Sequence, residues 1–246
     1  MEIAYFLRLF LIFLASGLIA RGEDILAVHT DPADSNRATA TVEVRDFEVR
    51  VDNRTVGTHR LTIKTNGETH QVKFETDVKV NLIVSTYTFK FRGTEVWHKN
   101  RLETAGIQSE EAGKKRSFAL QTDGEIQTDG EIQQTSFNGK PVPATSLSLM
   151  TTAYWRLPPA DLLTKPLMIV DVDSGTTRAV QVKTMEKTPI SFTGQSRECQ
   201  HVKIDGPSPA DLWFDDQQRL VRQKSVESGH QLELRIKQIQ LNPDDH

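Results

Sequence analysis

The chain has 246 residues, 37% of them hydrophobic and 26% charged, with a formal net charge of −3. That balance suits one globular domain or two small ones, and excludes a polytopic membrane protein, a collagen-like chain and a wholly disordered one. The near-neutral charge argues against nucleic acid as a main partner, because phosphate binding needs a basic face.

Residues Leu9–Ala20 (LFLIFLASGLIA) carry no charge but are too few for a spanning helix, which needs about 18. With Ala20-Arg21-Gly22 as a small-x-small cleavage site before Glu23, they predict a signal peptide over 1–22. The alternative is an uncleaved anchor. A cleaved signal implies a periplasmic or secreted protein with no stable membrane anchor. Residues 23–39, with Asp31-Pro32-Ala33-Asp34-Ser35-Asn36, have linker composition.

From residue 40 to 241 the apolar spacing is two nearly everywhere, which predicts a single all-β domain. Val42 and Val44 share one phase and Phe47, Val49 and Val51 the other, so a β-bulge is expected around Arg45-Asp46. Turns are expected at Asp52-Asn53-Arg54 and at Asn66-Gly67, the latter a hairpin. Val72, Phe74, Val78, Val80, Leu82 and Val84 alternate in one phase, and Tyr87, Phe89 and Phe91 in the other. A second bulge or corner is therefore expected near Ile83–Thr86.

Gln121–Ile126 recurs as Gln127–Ile132, a tandem copy with Asp-Gly turn chemistry that reads as a hairpin tip plus a loop insertion within 122–146. Pro159–Leu163 predicts one helical turn. Short strands follow around Val180 and Val182, Ile190 and Phe192, and Val202 and Ile204, and a last one holds Leu232, Leu234 and Ile236. Strands joined mainly by short turns predict an antiparallel meander forming a strongly curved sheet, a half-barrel or a barrel, with a β-sandwich as the alternative.

Catalytic and cofactor motifs are missing from the chain: no Gly-x-Ser-x-Gly elbow, no phosphate-binding glycine loop, no His-Glu-x-x-His zinc helix. No cofactor and no metal site is expected. Cys199, the single cysteine, excludes an internal disulfide and reads as a small packed hydrophobe. Six residues remain as ligand-binding candidates. His59 shares the parity of Leu61 and Ile63, either as a satisfied core residue or as a polar group in a cavity. Glu95 shares the parity of Trp97, either as a partnered glutamate or as a buried carboxyl of raised pKa. Trp97, Trp155 and Trp213 form a core cluster or line a cavity mouth, with Tyr87 beside them.

Several strings resemble a family of uncharacterised exported bacterial proteins, classed only as a domain of unknown function. They are Val51–Arg60 with its Gly-x-His, Tyr87–Phe91 leading to Glu95-Val96-Trp97, Tyr154-Trp155, Asp171–Gly175, and Asp211–Asp215. Phe214 stands where the family's last motif has a tyrosine. The resemblance covers about residues 40–241. It implies an all-β periplasmic protein, shaped like the half-barrel lipoprotein carriers, and brings no activity and no catalytic residues.

Three functions are compatible with these features. The first is a non-catalytic binding or carrier module for an apolar small molecule or lipid. The second is a structural or assembly protein that binds an envelope partner. The third is a hydrolase or isomerase using Glu95 and His59.

Overall fold

The computed structural model describes residues 40–81, 86–121, 134–137, 140–142, 149–160, 163, 167–171, 176–206, 208–227 and 229–243. The expected signal peptide, the linker and nearly all of the duplicated segment lie outside them, as do residues 82–85.

Six long strands open the domain: β1 (Thr41–Val51), β2 (Arg54–Asn66), β3 (Thr69–Asn81), β4 (Thr86–His98), β5 (Arg101–Glu111) and β6 (Lys114–Gln121). Ten more follow: β7 (Gln134–Phe137), β8 (Lys140–Val142), β9 (Leu149–Thr151), β10 (Leu167–Asp171), β11 (Thr176–Thr184), β12 (Thr188–Phe192), β13 (Gln195–Asp205), β14 (Ala210–Phe214), β15 (Leu220–Glu227) and β16 (His230–Pro243). They form one continuous path of pairing, β8-β7-β6-β5-β4-β3-β2-β1-β16-β15-β14-β13-β11-β10-β9, with β12 added beside β13. All pairs are antiparallel except β9 with β10. A single path removes the two-sheet alternative. Its ends, β8 and β9, do not pair, so the sheet is an open meander and not a closed barrel.

The hairpins follow from turn chemistry. Asp52 and Asn53 both have positive φ (46° and 66°), as do Lys99 and Asn100 (46° and 70°), the two-residue geometry whose twist matches that of the flanking strands. Gly67 (φ 58°) supplies the turn that sets Asn66 opposite Thr69. The phase change after Val80 is a chain reversal: β3 ends and β4 begins with Asn81 opposite Thr86.

The bulge expected in β1 belongs to its partner. β1 pairs with β2 in regular register from Thr41 to Val49, while against β16 the register steps from Asp46↔Gln238 to Phe47↔Ile236. The extra residue is Lys237. β1 keeps its phase, so Glu43, Arg45 and Phe47 share the inner face and Val42 and Val44 do not. The valine pattern misleads because an ion pair, Arg45 with Glu43, takes the positions that apolar residues usually hold.

The inner faces of both halves meet in one buried cluster, with Phe47, Leu61 and Phe74 from the first half and Ile204, Leu212 and Phe214 from the second. Phe74 is fully buried, stacks on Phe91 at 5.2 Å, and lies directly opposite Gly93. A Cβ on Gly93 would sit 2.2 Å from the Phe74 ring and 2.9 Å from Ile107. Gly93→Ala is therefore expected to destabilise the fold by about 1–3 kcal/mol through overpacking, read as a lower urea midpoint at unchanged slope. A midpoint equal to that of the parent protein would show that the ring moves aside freely.

Candidate functional site

One end of the sheet is crossed by residues 151–158. This strap leaves β9 at Thr151, turns at Tyr154 (φ 41°) and reaches the β14–β15 turn, where the Leu157 amide donates to the Gln218 carbonyl at 3.0 Å and Arg156 bridges Arg219. Arg45, only 4% exposed, donates from β1 to the Trp155 carbonyl. The turn itself is held by Asp215, which forms a buried ion pair with Arg219 at 2.6 Å.

The strap sets Trp155 against β3 and β4. Its ring lies 6.1 Å edge-on from Trp97 and 5.3 Å from His70. Alternation along β4 puts Gly93, Glu95 and Trp97 on the inner face beneath it. Glu95 is fully buried; its Oε2 accepts the Trp97 indole N–H at 2.9 Å, while Oε1 has no hydrogen-bond partner. Burial pushes this carboxyl up to about 7, against the opposing pull of the Thr151 and Trp97 side chains. A recess opens here to solvent, walled by Trp97, Met150, Tyr154, Trp155, Arg156 and Pro158. Its free volume of about 30 Å3 is room for roughly two waters.

Of the six candidates, the structure brings Glu95, Trp97 and Trp155 together and leaves three elsewhere. His59 sits in the core against Phe47, its Nδ1 2.7 Å from the Thr76 hydroxyl, and burial lowers it to about 4, so it is neutral. His59 on β2 and Glu95 on β4 have β3 between them and are offset by four residues along it (Thr76 against Val72), about 13 Å along the strands and two strand spacings across, and they address no common point. The acid–base pairing of these two has no geometric basis. Tyr87 is at the far end of β4, about 33 Å from Trp97 by strand rise, and its hydroxyl donates to Glu111 at 3.1 Å. Trp213 is opposite in phase to Leu212 and Phe214 but is buried in the same core cluster, on β14 and not at the recess. Its ring stacks on His201 at 4.6 Å and under Arg222 at 5.2 Å.

Sequence reading missed Arg156, Tyr154, Met150, His70 and Thr151. The strap has no period to place its side chains. His70, however, shares the parity of Val72 and Phe74 and was legible as an inward group. Arg156 lies over Trp155 at 4.5 Å and Trp97 at 5.4 Å, where burial lowers its pKa. Cys199 is buried with its thiol pushed up to about 11, which keeps it a poor nucleophile. No cluster of three metal-ligating side chains occurs among the described residues.

Fold and site together define a β-barrel-like protein: an open antiparallel meander with a strap and an aromatic recess at one end. The chain belongs to the family described as Domain of unknown function (DUF6134), whose pattern matches residues 47–237. Two strings that carried the resemblance, Glu95-Val96-Trp97 and Tyr154-Trp155, are the ones that meet at the recess. No curated protein matches the chain. Among solved structures, a β-barrel-like protein of domain of unknown function DUF1849 from Brucella abortus is similar, with a TM-score of 0.59 at 8% identity. The match covers 85% of this chain and all of that one. That likeness concerns the fold alone.

Proposed function

We propose that the protein is an exported, non-catalytic binding module that takes the end of an apolar small molecule or lipid at the strapped end of the sheet. The observation that carries this reading is the recess. Two tryptophans, a tyrosine, a methionine and prolines converge there on one arginine, the composition of a ligand site: mostly apolar lining with a few placed polar groups. Its volume admits a head or a ring edge and leaves a chain lying outside, so the reading is of a docking recess, not an enclosed barrel cavity. The Glu95–Trp97 hydrogen bond fixes one wall, and the Arg45 contact with the strap fixes the other.

The test is native mass spectrometry of protein purified from the cell envelope without detergent. A reproducible added mass is expected, extractable as an apolar molecule and lost from a folded Trp155→Ala variant. An apo mass that stays unchanged when decanol is titrated in would overturn the reading.

A further inference from the structure

Three guanidinium groups lie buried or half-buried at the strapped end, and two have their own anion. Arg45 is paired with Glu43, and Arg219 with Asp215. Arg156 is the exception: among the described residues no carboxylate lies within salt-bridge distance, and its guanidinium lies against the faces of Trp155 and Trp97. A guanidinium lying over an aromatic ring is attracted by that ring's face, and its planar fork of N–H donors can still pair with a carboxylate bidentately. Desolvation without an anion is unfavourable for a cation, and an oxyanion arriving in the recess relieves it.

We propose that Arg156 receives the carboxylate of an amphiphile, a monocarboxylic acid with an apolar tail, in a bidentate pair within the recess. This rests on the binding-module reading above and names its ligand class. The recess volume of about 30 Å3 suits a group of carboxylate size displacing about two waters. The tail then lies over the apolar rim of Met150, Pro158 and Pro159. A singly charged head suits the site better than a phosphate dianion, because among the described residues only one of these three guanidinium groups lacks an anion. The Glu95 carboxyl, bonded to the Trp97 indole of the recess wall, adds negative charge beside the site once it ionises near pH 7, which disfavours a dianion further.

The experiment is calorimetric titration of the whole protein with decanoate, decanol and decyl phosphate in low salt. Decanoate is expected to bind about tenfold to a hundredfold more tightly than decanol, and Arg156→Gln to bring the two level. The wild-type comparison of acid with alcohol stands even if the variant folds poorly. Equal affinity of wild type for decanoate and decanol would overturn the role of Arg156 and leave the binding-module reading in place. Tighter binding of decyl phosphate than of decanoate would overturn the carboxylate assignment. Failure of all three to bind would overturn both.

Discussion

Asp215→Ala is expected to cost about 3–5 kcal/mol of stability, the loss that follows when one partner of a buried ion pair is removed. Asp215 is fully shielded as a side chain and Arg219 is 8% exposed. One carboxylate oxygen accepts the backbone amides of Gln217 and Arg219, each at 3.0 Å; the other accepts the guanidinium at 2.6 and 2.8 Å. Truncation leaves a buried cation and two amides without their acceptor. It also loosens the strap, because Gln218 and Arg219 are the residues on which Leu157 and Arg156 are pinned.

Urea denaturation reads the loss as a lower midpoint at unchanged slope. Hydrogen exchange at Leu157 should accelerate in the same variant. Glu68→Ala is the control. Its pairing with Lys99 at 3.3 Å joins two groups more than half exposed, and its removal should cost no more than about 1 kcal/mol. An Asp215→Leu/Arg219→Met double variant should recover much of the loss, since it removes both charges together. A single-variant loss below about 1 kcal/mol would mean that water reaches Arg219 once the carboxylate is gone.

The meander was legible because alternation in β2 to β5 is almost unbroken and the turns are short and chemically marked. Gly67 and Asp52-Asn53 announce their positive φ values in their residue types. What misled was the interior charge of β1. Val42 and Val44 look like a core pair only while Glu43 and Arg45 are assumed to face water, and nothing local says that a strap carbonyl 110 residues away will accept from Arg45.

The same limit governs the recess. Glu95 and Trp97 are two apart on one strand, so their shared face follows from parity alone. Trp155 reaches them through a segment with no periodicity, held by contacts to β1, β3 and the β14–β15 turn. Parity also placed His59 inward correctly, but parity does not say how far along the sheet a side chain lies. That distance is why His59 and Glu95 share a face and no site.

Those two residues nevertheless oppose each other in the pH dependence of stability. Glu95 is raised from 4.5 to about 7 in the fold. Its stabilising contribution is fully present below pH 4.5 and is lost as pH rises through 7, roughly 3 kcal/mol in all. His59 is lowered from 6.5 to about 4. Its contribution is present above pH 6.5 and is lost as pH falls through 4, again roughly 3 kcal/mol. Between pH 4.5 and 6.5 the two slopes have opposite signs and nearly cancel.

Glu95→Gln removes one slope and exposes the other. Taken as a difference from wild type, which cancels every other titrating group, the variant should gain roughly 3 kcal/mol as pH rises from 4.5 to 7 and hold that difference above it. His59→Gln should show the mirror image, losing ground to wild type over the window from 4 to 6.5. Urea midpoints at half-unit pH intervals measure both curves. A difference curve for Glu95→Gln that is flat from pH 4.5 to 7 would mean that Glu95 Oε1 has a polar partner in solution, most simply water from the recess behind Trp97.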